Sequence, residues 1–285
     1  MGKNSKRRRA GSPGKPRYRV PTVPRPFVGM PHEEQLAAMR DLIPAASMQV
    51  RLSEDYGSRE VTLVTVAPQT VQGLVRSDGV IMVAIQTVAG TQDAGHDLGL
   101  ITAELLESEP GTVINGRDLR VPAPRLPEMV SDAEPMQVHS DFGFWLTEED
   151  LSDETTRRAV RESATAMVPT ALVAGTEAAL WCHLGTTDYL RWVRGEEEDA
   201  VFDALARLRD ADELRITESS HFIGAFRLSG LVAPVFEFDE PTGAEHLDTP
   251  VAAFEAKFQA AMSGPTLTTE QRRIRSGLVS RELSL

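Results

Sequence analysis

The residues best placed to do chemistry are two aspartates and a histidine within five positions, Asp93, His96 and Asp97. Carboxylate oxygens and imidazole nitrogens bind metal ions, so this trio could begin a metal site at the start of a helix. The same residue types also cap helices, in which case Asp93 or Asp97 is the cap and His96 is a solvated residue of the first turn. We favour capping, so the sequence predicts no metal and no cofactor.

Glycines surround this trio and raise the question of a phosphate-binding loop. Gly90, Gly95 and Gly99 match neither the dinucleotide-binding nor the Walker A spacing, and no lysine follows them. Two carboxylates would also oppose a bound anion. A phosphate site at this loop is therefore not predicted.

A cysteine and a histidine are neighbours at Cys182 and His183, inside a predicted strand over residues 177–184. Adjacent strand residues point to opposite faces of a sheet, so these two cannot form a catalytic dyad by themselves. Cys182 is the only cysteine, which excludes an intramolecular disulfide and fits a reducing compartment. We interpret it as a packed core thiol.

The remaining reactive side chains follow no catalytic pattern. Residues 219–221 supply serine hydroxyls and a histidine without a nucleophile elbow, and residues 139–141 are typical of a loop that enters a strand. His32 and His246 are predicted to be exposed, and no HExxH or CxxC sequence occurs. Carboxylates are so numerous that paired-acid catalysis is neither supported nor excluded. The sequence favours a protein that is not an enzyme, without deciding the question.

Positive charge is concentrated at the start of the chain, where nine basic residues precede the first carboxylate, Glu33. The rest of the chain holds 21 basic residues (30 − 9) against 42 acidic ones, a net charge of −21. Such a body repels polyanions, whereas a basic segment neutralises phosphates. The alternative is a charged extension of no consequence. The predicted contacts to RNA, the ribosome or DNA are Lys3, Lys6, Arg7, Arg8, Arg9, Lys15, Arg17 and Arg19.

Proline and glycine content divides the chain. Residues 1–26 hold five prolines and little apolar surface, so they are predicted to form a disordered basic tail. Residues 122–135 hold four prolines and are predicted to link two halves, residues 27–121 and 136–285. Each half is long enough to bury a core of its own.

Each half is predicted to combine helices and strands from its apolar periodicity. Predicted helices begin at Pro31, before Leu98, at Asp153, at Glu196, at Pro250 and at Thr269. Predicted strands cover residues 48–52, 61–67, 80–87, 112–114, 142–146, 177–184 and 214–217. A hairpin turn is predicted at Asn115-Gly116.

The densest apolar stretch is Ser219–Asp239, which carries five phenylalanines in a chain with 6% aromatic residues. It is predicted to form two strands that turn at Ser229-Gly230 and build the core sheet of the second half. Pro234 cannot donate to a central ladder, so its strand should lie at an edge or bulge there.

The two halves have a similar order of elements, each with an apolar-Pro boundary after its first helix (Ile43-Pro44 and Val168-Pro169). An ancient duplication is one explanation and chance helix-proline boundaries are another. The predicted fold is α+β, with two similar halves of mixed or antiparallel sheet covered by helices and a disordered basic N-terminal tail.

Three kinds of function fit these features. The first is a cytoplasmic, non-enzymatic binding or regulatory protein whose tail contacts RNA, the ribosome or DNA. The alternative is an enzyme or small-ligand-binding protein with a site between the halves. A third is a protein–protein adaptor that binds its partner through the basic C-terminal helix, residues 269–283. This helix carries Arg272, Arg273, Arg275 and Arg281. No segment approaches the ~20 apolar residues of a membrane helix.

Several segments of the chain resemble a family of actinobacterial proteins of unknown function. The resemblance is carried by RPFVGMP and LAAMRDLIPAAS within residues 25–47, AFRLSGLVAPVFEFD at residues 225–239 and TLTTEQRRIRSGLVSREL at residues 266–283. It spans most of the chain and implies a bacterial host and a cytoplasmic location. It implies no catalytic residues, because the shared motifs look structural.

Overall fold

A computed structural model of the protein describes residues 18–65, 71–86 and 90–280. Within these residues the chain forms eight α-helices and twelve strands in two sheets. The α+β class predicted from the sequence is therefore confirmed. None of the described helices is long and apolar enough to cross a membrane.

The first sheet is built by the N-terminal part of the chain. Its elements are α1 (Glu33–Asp41), β1 (Ala46–Leu52), β2 (Glu60–Val64), β3 (Gly73–Val75), β4 (Ile81–Ala84), α2 (Ala94–Leu106), β5 (Val113–Ile114), α3 (Leu126–Met129), β6 (Val130–Ala133) and β7 (Gln137–Val138). The strand order is β5-β3-β4-β2-β1-β6, and β7 also pairs with β1. Among its described strands only β2 and β4 run parallel, so this is a mixed sheet.

The second sheet is antiparallel throughout its described strands. Its elements are α4 (Glu148–Ser152), α5 (Glu154–Ala164), β8 (Thr170–Leu172), β9 (Ala179–Leu184), β10 (Thr187–Trp192), α6 (Glu198–Asp210), β11 (Ser220–Leu228), β12 (Leu231–Phe238), α7 (Asp248–Met262) and α8 (Thr269–Val279). The strand order is β11-β12-β10-β9-β8.

The β11–β12 hairpin confirms the prediction for the densest apolar stretch. Its turn places Ser229 at φ 46° and Gly230 at φ 80°, the left-handed conformations that a tight two-residue hairpin needs. Pro234 lies in a central strand, where the paired stretch between β10 and β12 ends at Val235. Pairing resumes as a single bridge between Arg194 and Val232, so the ladder is interrupted at the residue that has no N–H to donate.

The stretch predicted as a linker is part of the first sheet instead. Residues 126–129 form α3, whose Leu126 and Met129 are buried, and β6 pairs with β1 from Val50 to Leu52. Prolines indicated a linker because they resist regular structure, but Pro127 lies in the first turn of α3, where a missing N–H costs nothing. The prediction for residues 122–135 is therefore corrected: the first half, defined by its sheet, extends through β7 to residue 140.

Three local predictions also differ from the structure. Residues 142–146 contain a 3₁₀-helix at Gly143–Trp145 rather than a strand, and residues 214–217 form irregular backbone and a bend. Asn115-Gly116 does not close a hairpin, because β5 pairs with the earlier strand β3. Each of these stretches has a β-like composition, and composition alone does not supply a strand with a pairing partner.

One hydrophobic core joins the two sheets. A continuous buried cluster includes Leu36 and Met39 of α1 together with Leu180, Leu231 and Ala233 of the second sheet. A second cluster packs α6 and α7 on the opposite face of the second sheet, where the rings of Phe236 and Phe254 are in contact. The halves are therefore not independent bodies on a flexible linker.

Helix α1 lies between the halves and is hydrogen bonded to both. The buried amide of Gln35 donates to the backbone oxygen of Glu177 at 2.9 Å and accepts from the backbone N–H of Met136 at 2.7 Å. At the end of the helix, Arg40 donates to Ser229 at 3.1 Å, and Ser229 donates to Asp41 at 2.8 Å. This helix fixes how the two sheets meet.

The structure does not confirm a duplication. In the first half, the helix α2 follows the pair β3 and β4, and the sheet contains a parallel pair of strands. In the second half, the helix α7 likewise follows the hairpin β11–β12, but every described strand pair is antiparallel. The shared helix-proline boundaries therefore join elements in different topologies.

Gly99 lets α2 approach the segment before α3 closely. A Cβ atom at position 99 would lie 2.1 Å from the carbonyl oxygen of Pro124 and 2.8 Å from the backbone nitrogen of Leu126. Both obstacles are backbone atoms, so the helix and the segment would have to separate. We expect Gly99→Ala to lower the free energy of unfolding by about 2–3 kcal/mol, measured by urea denaturation.

Gly277 is the matched control for this substitution. It lies in α8, and a Cβ atom there meets nothing within 4 Å. Gly277→Ala should leave the protein equally stable or stabilise it by up to about 1 kcal/mol, because alanine is the better helix former. Equal effects of the two substitutions would contradict the close approach at Gly99.

Candidate functional site

The aspartate–histidine trio forms a buried polar cluster at the start of α2. Asp93 is the N-cap and accepts a hydrogen bond from the backbone N–H of His96 at 3.2 Å. Arg125 binds the same carboxylate through two nitrogens, at 2.7 and 3.1 Å, and also donates to the backbone oxygen of Pro26 at 3.2 Å. The capping interpretation is therefore the one that the geometry supports.

The other two members of the trio also have structural partners. Asp97 accepts from the backbone N–H of Thr91 at 2.6 Å and from its hydroxyl at 2.7 Å. His96 is buried rather than solvated, with Nε2 2.9 Å from the backbone oxygen of Val121. In the described part of the chain, no group of three such side chains is arranged to hold a metal ion.

Cys182 and His183 point to opposite faces of β9, as the strand prediction requires. Cys182 is buried, and burial raises the pKa of its thiol although the nearby Arg191 guanidinium opposes this effect. His183 is half exposed, with Nδ1 2.6 Å from the buried carboxylate of Asp188. That carboxylate also accepts from the backbone N–H of Thr242 at 2.7 Å, so the pair ties the β9–β10 hairpin to the segment before α7.

The serine-rich corner before β11 is a turn. The hydroxyl of Ser220 accepts from the backbone N–H groups of Ile216 and Thr217 at 2.9 and 2.8 Å. His221 is half exposed and lies 3.3 Å from Asp239. His246 is exposed, whereas His32 is partly buried and 2.7 Å from Glu177. None of these contacts assembles a nucleophile with a base.

Most of the predicted nucleic-acid contacts lie outside the described residues: Lys3, Lys6, Arg7, Arg8, Arg9, Lys15 and Arg17. Arg19 is described and exposed. The part of the predicted disordered tail that is described packs on the body. The backbone N–H of Val23 donates to Gln92 at 3.0 Å, and Arg25 pairs with Glu33 at 2.6 Å and donates to the backbone oxygen of Gly195 at 2.9 Å. Residues 18–26 therefore belong to the folded body.

Part of the positive charge of the basic C-terminal helix is neutralised by ion pairs within the protein. In α8, Arg275 pairs with Asp199 and with Asp203 of α6, the second at 2.8 Å. Leu278 is buried in the second core cluster. Arg272 donates to the backbone oxygen of Leu267. A protein partner at this helix stays a prediction, and it would meet the face that carries Arg273.

A cluster that the sequence did not reveal lies where α1 meets the second half. Arg194 is 6% exposed, bonds Glu196 through two nitrogens and reaches Glu255 of α7. Its guanidinium lies 4.3 Å from the ring centre of Trp192 and 4.4 Å from that of Phe258. Arg194, Trp192, Glu196 and Glu255 line a cleft of about 390 Å³ together with Glu34. Carboxylates this far apart in sequence give no local pattern.

A larger cavity of about 540 Å³ lies between the halves. Its wall comes from Pro44, Val138, His139 and Ser140 of the first half and from Ala164, Met167, Val168, Pro169, Thr170, Ala171, Leu172 and Trp181 of the second. None of these carries a formal charge at neutral pH, and burial lowers the pKa of His139 although Asp141 opposes it. The buried indole nitrogen of Trp181 has no hydrogen-bond partner in the described part of the chain. A cavity of this size falls in the range of ligand pockets.

A protein-family model matches most of the chain. Residues 26–285 match the model of a protein family described as a family of unknown function, DUF5926. No curated protein and no solved structure matches the chain.

Proposed function

The chain belongs to that family of unknown function, and from its own residues we propose that it is a non-enzymatic binding protein whose basic N-terminal segment contacts nucleic acid, as RNA, ribosome or DNA. The observation that carries this proposal is the separation of charge along the chain. Seven of the basic residues fall within the first 17 positions, and no acidic residue precedes Glu33.

The folded body supports the proposal because many of its basic side chains are paired with carboxylates of the body itself. The basic side chains that lie within 4.0 Å of a carboxylate are Arg25, Arg40, Arg51, Arg76, Arg117, Arg125, Arg157, Arg158, Arg161, Arg194, Arg215, Arg227, Lys257 and Arg275. A cation paired in this way offers little to a phosphate, and the unpaired carboxylates of an acidic body repel it. A polyanion would therefore bind through the N-terminal segment.

Binding of this kind is electrostatic and independent of sequence. Each lysine or arginine that neutralises a phosphate releases a counterion, so the affinity falls steeply as the salt concentration rises. The proposal therefore predicts that RNA and DNA bind with similar affinities and that both affinities depend on the salt concentration.

The test replaces the seven basic residues of positions 1–17 with glutamine in the full-length protein. Residues 18–26 stay intact, because they contact the body through Val23 and Arg25. We expect binding of a single-stranded RNA or a DNA duplex of about 20 nucleotides, measured by fluorescence anisotropy, to weaken about tenfold or more. The dependence of affinity on salt should become nearly flat.

The matched control neutralises basic residues of the body instead. Arg209→Gln with Arg273→Gln removes two charges from α6 and α8 and should leave affinity and salt dependence unchanged. If the seven-residue variant bound as tightly as the unaltered protein, with the same salt dependence, the proposed function would be wrong.

A second candidate function rests on the cavity of about 540 Å³ between the halves. A pocket at the junction of two sheets is a common place for a ligand. The cavity differs from the site first considered, because Asp93, His96 and Asp97 are all held by structural partners. The protein would then bind a ligand at this cavity, through the edge of β8 and Trp181.

A further inference from the structure

The cavity between the halves runs along the free edge of a β-sheet. Strand β8 is the last strand of the second sheet and, among the described strands, pairs only with β9. The backbone N–H of Val173 donates to Ala179 at 2.9 Å, and the backbone oxygen of Pro169 accepts from His183 at 3.0 Å. Because alternate residues of a strand face its partner, the N–H and C=O groups of Thr170 and Leu172 point away from β9.

The wall of the cavity contains these same residues. Thr170, Ala171 and Leu172 line it, and the described residues give the outward backbone groups no hydrogen-bond partner. Trp181, opposite Ala171 on β9, adds a buried indole N–H without a partner. The site therefore combines a row of backbone donors and acceptors with a side-chain donor.

From this geometry we propose that the cavity binds an extended, uncharged peptide segment of a partner protein, which adds to the edge of β8 as a further strand. This inference rests on the second candidate function and names its ligand. A peptide backbone is the ligand that offers N–H and C=O groups at the repeat of a strand, and strand addition is an established mode of peptide recognition.

Charge complementarity decides against the protein's own N-terminal segment as the occupant. The residues that line the cavity include no aspartate or glutamate, whereas positions 1–17 carry seven cations. Burying a lysine or arginine against such a wall without a partner is unfavourable. Apolar side chains of an extended peptide would instead meet Val138, Met167, Val168 and Leu172.

Two of the usual features that block strand addition are missing from this edge. Natural sheets protect free edges with charged side chains or proline within the strand. In β8 the three residues are threonine, alanine and leucine, and the proline precedes the strand at position 169. Its remaining protection is its short length of three residues and the strand β7, which lies close to part of this edge.

The test selects uncharged 12-residue peptides from a phage-displayed random library against immobilised full-length protein and measures the best one by fluorescence anisotropy. The peptide is then made with single backbone N-methyl groups at each position. Methyl groups at alternate positions should weaken binding about tenfold or more, and those at the intervening positions should not, because only every second N–H of an added strand faces β8.

Two protein variants and one control variant accompany the peptides. Leu172→Pro removes an N–H that points away from β9, so it should weaken binding about tenfold while the ladder to β9 is kept. Trp181→Phe removes the indole donor and should weaken binding several-fold even if the first variant folds poorly. Val113→Ser removes an exposed apolar side chain of the first sheet and should have no effect.

The outcomes separate this inference from the proposed function. The variant without basic residues at positions 1–17 should bind the peptide normally, so a failure of nucleic-acid binding does not affect the result. Failure to select a peptide would overturn the inference. So would binding without the alternating effect of N-methylation, or a dimer of the protein that forms through β8 itself.

Discussion

Replacing Arg194 with methionine is expected to lower the free energy of unfolding by about 3–5 kcal/mol. The guanidinium is 6% exposed and bonds Glu196 at 2.5 and 3.0 Å and Glu255 at 2.5 Å. Methionine keeps most of the apolar contact with Trp192 and Phe258 but leaves two partly buried carboxylates close together and without a cation. Urea denaturation followed by circular dichroism measures the loss.

The loss of stability in Arg194→Met should depend on pH because the pKa of Glu196 is shifted. Burial opposes ionisation of Glu196, but its hydrogen bonds and ion pair with Arg194 outweigh burial and lower the pKa of that carboxyl below its usual value. A lowered pKa stabilises the folded state above the pKa of the unfolded chain, about 4.3, and this contribution is lost as the pH falls through the folded value. The stability difference between the two proteins should therefore be largest near neutral pH and shrink below about pH 4.

Two further variants make this expectation specific. Arg51→Met removes a surface ion pair with Glu60, in which both side chains are more than half exposed, and should cost at most about 1 kcal/mol. Combining Arg194→Met with Glu196→Gln and Glu255→Gln removes the unpaired charges and should recover a large part of the loss. If Arg194→Met cost no more than Arg51→Met, the cluster would not hold α7 to the second sheet.

The apolar periodicity of the sequence predicted the helices and strands that pack one apolar face against a single neighbour. Helix α6 carries acidic residues in its first turn and Arg207 and Arg209 in its last, and its apolar stripe faces one sheet. The hairpin β11–β12 is recognisable in the sequence as a Ser-Gly turn between two apolar runs. In both cases the local sequence already contains the reason for the structure, so the prediction needed no knowledge of distant residues.

Strand β10 was missed because one of its inward residues is charged. Asp188, Leu190 and Trp192 are buried on the same face, but an aspartate breaks the apolar alternation by which a strand is recognised. The carboxylate is tolerated because His183 and the backbone N–H of Thr242 satisfy it. Those partners become visible only once the hairpin has formed.

The linker prediction failed for a related reason. Strand β6 pairs with β1, which lies about 80 positions earlier in the chain. Nothing in the proline-rich sequence of residues 122–135 indicates that pairing partner. The cluster at Arg194 and the cavity beside β8 are likewise assembled from distant segments. The sequence could name the local alternatives, such as cap or metal ligand at Asp93, and the structure decides between them.

That decision leads to the second large effect, which we expect from Asp93→Ala. The carboxylate is 2% exposed, caps α2 and holds Arg125 at 2.7 Å. Loss of the cap costs about 1 kcal/mol, and removing one partner of a buried pair costs more, so the free energy of unfolding should fall by about 3 kcal/mol. Asp93→Asn keeps an N-cap acceptor and should lose less, as measured by urea denaturation.

A metal titration distinguishes this structural role from a metal site at the same residues. If Asp93, His96 and Asp97 serve α2 and its neighbouring segments, adding Zn²⁺, Mn²⁺ or Mg²⁺ should leave the melting temperature of the unaltered protein unchanged. A ligand that binds only the folded state raises that temperature, and the rise grows with the logarithm of the ratio of ligand concentration to Kd. A metal-dependent rise that disappears in Asp93→Asn would contradict the structural role, because asparagine preserves the cap while weakening a metal ligand. Without such a rise, the destabilisation by Asp93→Ala measures how firmly the cap and Arg125 hold the N-terminal segment at Pro26 against the body.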